Sequence, residues 1–189
     1  MQLNIYSISH PIIKILSNVT KQEEQNPIAS SYYYRNIGLL LIYEVLRKYI
    51  VIKQVYIKCL YSTKLLNLVD NNEKYIILTN LYDNYEMITD IKTLLPNIDI
   101  VDISNNNGTN SPININQMVE NMEHLQIFIL KKELRNKNIS EIIKYLTSEK
   151  NIPLNNIHIA CIITSQNILT NLSYEYPKLK IYTTEIVYN

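Results

Sequence analysis

The chain has 189 residues, and 18 Lys and Arg against 17 Asp and Glu leave a formal net charge of +1. That length suits one globular domain, and near-neutrality gives no global electrostatic reason for nucleic acid or an anionic membrane as partner. Only two glycines occur, Gly38 and Gly108, which excludes Gly-rich phosphate loops and dinucleotide fingerprints, because these gather several glycines to bring backbone amides onto a phosphate.

Hydrophobic periodicity predicts the elements in order. A short helix covers His10 to Val19, with Ile12, Ile13, Ile15 and Leu16 on one side. Lys21 to Pro27 is polar and reads as a loop, and Ser30 to Ile50 is the strongest helix. Val51 to Leu60 alternates as a strand, and Lys74 to Thr79 holds the buried-strand run Tyr75-Ile76-Ile77-Leu78. Asn84 to Leu95 has helical spacing and is stopped by Pro96, and Ile98 to Ile103 is the next strand. Ser104 to Asn116, with Gly108 and Pro112, reads as an exposed loop or hairpin tip. Leu125 to Leu130, Ile157 to Thr164 and Leu179 to Ile186 are strands, with helices over Ser140 to Thr147 and Ser165 to Tyr174 between them. Such alternation implies βαβ crossovers and a mainly parallel sheet flanked by helices, one α/β domain led by an N-terminal helical segment.

Composition also bears on origin. Ile, Asn, Tyr and Lys, all with A/T-rich codons, dominate the chain, whereas Ala and Arg are scarce. An A+T-rich genome such as an organelle's accounts for that bias, although bias seldom removes a glycine that chemistry still requires. The start has no basic region followed by a long apolar run, so neither a secretory signal nor a transit peptide is expected. The longest apolar stretch, Ile37 to Leu46, contains Glu44 and falls far short of the roughly 20 residues a bilayer demands. A soluble protein resident where it is made is expected. Cys59 and Cys161 lie in apolar, strand-like contexts and read as buried free thiols.

Candidate chemistry is sought beyond the carboxyl ends of the strands, where open α/β sheets bind ligands. Three segments qualify: Asn80 to Tyr85, Lys131 to Asn138, and Ser165-Gln166-Asn167. The second carries Lys131, Lys132, Arg135 and Lys137 at an expected strand-to-helix turn, a candidate anion site. The same four cations also suit a solvated basic loop. No Asp accompanies them to hold magnesium, and His10, His124 and His158 lack zinc-ligand spacing, so no metal or cofactor is expected. Asp99 and Asp102 flank a short strand, where they solvate its ends or act as an acid–base pair. Of Tyr32, Tyr33 and Tyr34, helix geometry sends at least one to the core and another outward.

Several residues carry a family resemblance. His10-Pro11-Ile12-Ile13, then Ile37-Gly38-Leu39-Leu40-Leu41-Ile42-Tyr43-Glu44 with Arg47, and later Leu94-Leu95-Pro96, Pro177 and Ile181-Tyr182-Thr183 resemble uracil phosphoribosyltransferase in order and spacing. The resemblance implies a phosphoribosyltransferase-like fold in which Gly38 is a packing residue. It also implies three departures. The family's phosphoribosyl-pyrophosphate loop has an Asp, then a small residue, Thr and paired Gly, whereas Lys131 to Asn138 has a basic residue at the Asp position and neither Thr nor Gly. The family's Arg-Ala-Gly triplet corresponds to about Leu78 to Asp83, where none of the three occurs. Its uracil-recognising segment follows the Tyr182 strand, and the chain ends at Asn189, so that segment is expected to be lacking. A non-catalytic homologue is therefore expected, one that keeps the scaffold for binding or assembly. Its partners would be a second copy or another protein subunit, not nucleic acid, a membrane or a phosphorylated small molecule, and its setting a plastid. The alternatives are residual conversion of uracil and phosphoribosyl pyrophosphate to UMP, or an enzyme for another anionic substrate.

Overall fold

Two prolines open the first two helices. Pro11 begins α1 (Pro11–Gln22) and Pro27 begins α2 (Pro27–Leu46), the first-turn position where the missing N–H is no loss. A short strand, β1 (Asn4–Ser7), precedes them. There follow β2 (Ile52–Lys58), β3 (Thr63–Val69), β4 (Lys74–Thr79), α3 (Leu81–Ile88), α4 (Ile91–Leu94) and β5 (Asp99–Asp102). The chain ends with β6 (Leu125–Leu134), α5 (Asn136–Lys144) running into a π-helical turn, β7 (Ile157–Ser165), α6 (Gln166–Glu175) and β8 (Lys180–Val187). This computed structural model describes residues 3–22, 27–103, 124–134 and 136–188, with the backbone alone for 21, 22, 27 and 136–138.

Six strands form one sheet in the order β1-β8-β7-β6-β4-β5, and every neighbouring pair is parallel. Strand alternation loads both faces. In β6, Ile127 and Ile129 join one buried cluster with α5 and α6, while Phe128 and Leu130 join the other with α1 to α4. Because β5 lies on one side of β4 and β6 on the other, the winding reverses at β4, which places a crevice at the β4 and β6 carboxyl ends. Among the described residues no helix is long and apolar enough to cross a membrane.

Gly38 packs as the sequence implied. A Cβ there would lie 2.3 Å from the carbonyl oxygen of Met87 and 2.6 Å from its Cα, so α2 and α3 touch backbone to backbone. Arg35 forks onto both carboxylate oxygens of Asp90, fixing α2 to the start of α4. Tyr34 packs against the core and Tyr32 is exposed, as helix geometry requires.

Other expectations need correction. β1 was not foreseen: its four residues are all exposed and its pairing partner, β8, lies at the far end of the sequence. β3 was also missed, and β2 pairs antiparallel with it in a separate hairpin. In β3 the run Lys64-Leu65-Leu66-Asn67-Leu68 has no period-two signal because both faces of the hairpin are largely exposed. The helix expected over Asn84 to Leu95 is two pieces, and Asn84 itself departs from helical geometry (φ −123°). Cys59 is exposed near the hairpin turn, and only Cys161 is buried. The expected loop over Ser104 to Asn116, with Gly108 and Pro112, lies outside the described residues.

Candidate functional site

The sequence reading ended the sixth strand at Leu130. The structure carries β6 on to Leu134, with Lys131 opposite Cys161 and Glu133 opposite Ile163 of β7. Lys131 and Lys132 are therefore strand residues and not part of a strand-to-helix turn. The pairing of β4 with β6 reaches Leu78 and Ile129, so β6 overhangs the end of β4. Alternation then sends Lys131 and Lys132 to opposite faces of the sheet. Arg135 lies outside the described residues, as does the side chain of Lys137.

Lys132 is tied down from three directions. Its Nζ donates to Glu86 Oε2 at 2.8 Å and stands 4.3 Å from the centroid of the Tyr34 ring. Its backbone N–H donates to Asn84 Oδ1 at 2.9 Å. Burial pushes the Glu86 carboxyl up, but the hydrogen bond and charge of Lys132 more than offset this, and the group lies below the usual carboxylate range. Lys131 is half-buried without an ion pair among the described residues. Desolvation lowers its ammonium from the usual range, partly opposed by the charge of Asp83.

The start of α3 forms the other wall, and its amides are already satisfied. The Asn80 side-chain oxygen accepts from the Tyr82 N–H at 3.0 Å and the Asp83 N–H at 3.4 Å. Asp102, at the end of β5, accepts from the Leu81 N–H at 3.0 Å. Asn80 Nδ2 donates to Asp83 at 2.7 Å, and buried Asn84 donates through Nδ2 to the Asn80 carbonyl at 3.1 Å. Where an anion-binding helix start would leave N–H groups open, this one turns them onto its own Asn and Asp side chains. A phosphate approaching here would displace internal hydrogen bonds and meet Asp83 and Asp102.

Asp102 was read as an end-solvating residue or half of an acid–base pair; it is a hydrogen-bond acceptor closing the α3 start. Asp99 sits at the opposite end of β5. The roles of Asn80, Asn84 and Glu86 were missed, although Asn80 followed by Asp83 is a readable helix-start pattern. At the third candidate segment, Ser165 is the N-cap of α6 without a side-chain capping bond. Among the described residues no cluster of three His, Cys, Asp or Glu could hold a metal ion. His124 pairs with Glu73 at 3.0 Å. His158 is fully buried, stacked on Tyr49 at 4.0 Å and bonded to Gln126 at 2.8 Å. Its imidazole is pushed down to about 3 by burial and then by Lys180.

A family model described as uracil phosphoribosyltransferase matches residues 7–188. A uracil phosphoribosyltransferase homolog of Porphyra purpurea is 27% identical over 188 residues, covering 98% of this chain and 89% of the relative. A homolog of the same description from Pyropia yezoensis is 26% identical over 187 residues, covering 98% and 89%. The uracil phosphoribosyltransferase of Synechocystis is 24% identical over 189 residues, covering 98% and 88%. Among solved structures, the AQ2163 protein of Aquifex aeolicus has the same fold, with a TM-score of 0.74 at 14% identity, covering 98% of this chain and 88% of that one.

Proposed function

The chain belongs to the uracil phosphoribosyltransferase family, and from that premise we propose that it is a non-catalytic member, its scaffold kept for assembly with a second copy of itself. The observation that carries this reading is the self-occupied crevice. Asn80 and Asp102 take the amides at the start of α3, and Glu86 takes the Lys132 ammonium. Phosphoribosyl transfer depends on preorganised groups that stabilise the departing pyrophosphate and an oxocarbenium-like sugar. The continuous strand through Lys131 to Leu134 stands where the family resemblance calls for an Asp and a glycine-containing turn.

The assembly surface is the β2–β3 hairpin. Tyr56 is 67% exposed, and Ile52, Leu65 and Leu68 stand out with it. A two-stranded ribbon open on both faces is marginal alone in water, so a partner that covers those apolar groups stabilises it. The Porphyra and Pyropia relatives, together with the A/T-codon composition, support a plastid setting. Fractionation of intact plastids with an antibody to the chain tests that setting: signal confined to other fractions rules it out.

Purified protein incubated with uracil and phosphoribosyl pyrophosphate is expected to form no UMP above a protein-free blank. UMP formation that Lys131→Ala or Lys132→Ala abolishes would overturn the non-catalytic reading. Sedimentation velocity is expected to give a dimer that Tyr56→Lys converts to monomer; a wild-type monomer at all concentrations removes the assembly role.

A further inference from the structure

Away from the crevice, at the β1 edge of the sheet, the chain forms an open, solvent-facing cavity of about 540 Å³. Its construction follows from two turns. The Ile8 N–H donates to the Thr183 carbonyl at 2.8 Å, prolonging the β1–β8 pairing by one residue, and the chain then enters α1, leaving Ser7, Ser9 and His10 along one lip. At the other lip α2 tightens at its end, the Lys48 N–H donating to Val45 at 3.1 Å. This turn delivers Arg47 and Lys48 to the opening.

The floor is aromatic. Tyr6 and Tyr182 stack at 4.8 Å between centroids, and the Lys48 ammonium stands 3.8 Å from the Tyr6 centroid and 4.9 Å from that of Tyr182. Tyr182 is anchored from behind by a 2.6 Å hydroxyl–hydroxyl bond to Tyr49. Contact with two ring faces positions an ammonium without neutralising it, and Lys48 has no carboxylate partner among the described residues. Arg47 is exposed and 3.3 Å from Glu44, a carboxylate that is only 20% exposed and lines the same opening. An incoming anion therefore competes with Glu44 for Arg47 and meets Lys48 without such a competitor bonded to it. In the wall, His10 Nδ1 is buried with no hydrogen-bond partner among the described residues.

We propose that this cavity binds a small phosphate monoester, held by Lys48 and Arg47 with the Ser7 and Ser9 hydroxyls as further donors. The volume falls in the range of small-molecule sites, about 300–1,000 Å³. A phosphate monoester carries nearly two negative charges at neutral pH and several acceptor oxygens, which suits two cations from one lip and hydroxyls from the other. The sequence argued against a phosphorylated ligand because Gly-rich loops are missing; here side chains supply the donors in place of glycine backbone. The site is separate from the crevice, so it stands or falls independently of the non-catalytic reading.

The test is isothermal titration of the full chain with ribose 5-phosphate, inorganic phosphate and acetate at matched ionic strength. Saturable binding of ribose 5-phosphate is expected, weakened roughly tenfold or more by Lys48→Met and by Arg47→Gln, as for the loss of one charge-assisted hydrogen bond. Lys132→Met in the crevice is expected to leave the affinity unchanged. Circular dichroism of each variant separates lost binding from lost folding, and ³¹P line broadening of inorganic phosphate provides a second readout on the wild type. No saturable binding of either phosphate overturns the proposal, as does affinity that survives both Lys48→Met and Arg47→Gln. Equal affinity for acetate overturns the assignment to phosphate.

Discussion

The sheet has two polar openings, and they are built on opposite plans. Between β4 and β6, each cation or amide with a defined partner is bound to the chain's own side chains: Lys132 to Glu86, the α3 amides to Asn80 and Asp102. At the β1 edge, Lys48 rests on aromatic faces with no ion pair to a carboxylate among the described residues, and His10 Nδ1 has no hydrogen-bond partner among them. One opening turns its hydrogen-bonding groups onto itself; the other holds an ammonium on aromatic faces, and that contrast is what the two proposals rest on. The fold alone does not distinguish them, since both are positioned by the same helix: α2 supplies Tyr34 to the crevice and ends at the cavity.

That shared helix gives the strongest way to break the comparison. Gly38→Ala places a methyl 2.3 Å from the Met87 carbonyl oxygen, where backbone and not a flexible side-chain end must move. Overpacking of this kind costs about 3 kcal/mol, and prying α2 from α3 disturbs both openings together. A urea-melt midpoint within error of wild type would mean the two helices are not held at this spacing.

The next effect is a pH dependence at the base of the cavity. His158 stacks on Tyr49, which bonds to Tyr182 in the floor. Its folded-state value of about 3 lies below the ordinary 6.5, so the unfolded chain binds a proton that the native chain refuses. The stabilisation from neutral His158 is complete above about pH 6.5 and is lost as pH falls from there towards 3, at up to about 1.4 kcal/mol per pH unit. His158→Gln should flatten stability between pH 6.5 and 4.5 relative to wild type, read by urea melts; an unchanged slope would locate the acid sensitivity elsewhere.

The crevice is tested by Asn84→Ala. This substitution removes the acceptor of the Lys132 N–H and the donor to the Asn80 carbonyl, leaving partly buried groups unsatisfied at a cost of about 2 kcal/mol. Amide exchange at Lys132 should speed up with it. If the crevice is internally satisfied as described, phosphate binding at the β1 edge is untouched by this variant.

The sequence revealed the sheet more readily than the openings. β4, β6 and β7 carry largely apolar runs buried on both faces, and such runs need only local reading. Gly38 was legible as a packing residue through the family resemblance, and the close neighbour that explains it is the Met87 backbone. The crevice was misread because Lys131 and Lys132 look like loop residues until β7 supplies the partner, Cys161 and Ile163, that keeps β6 extended. The cavity was not anticipated at all. Arg47 stood out in the sequence only through resemblance, and His10 through that and through the zinc-ligand spacing it lacks. Their meeting depends on β1 pairing with a strand some 175 residues later, with Asn4 opposite Lys180.

The smallest effect separates charge from packing in the crevice. Glu86 has its folded-state value lowered relative to the ordinary 4.5, so its pairing with Lys132 contributes above about pH 4.5 and is lost as pH falls through the folded value. Lys132→Met keeps most of the apolar stem over Tyr34 but leaves Glu86 unpaired, and burial then raises that carboxyl instead. The variant should be less stable than wild type by about 1 kcal/mol at pH 7, and the gap should narrow as both proteins are taken below about pH 4.5. Comparing the two proteins at each pH cancels the His158 contribution, which both share. A gap that stays constant across the range would assign the Lys132 contribution to contacts of its stem, and the crevice would then be filled without being electrostatically satisfied.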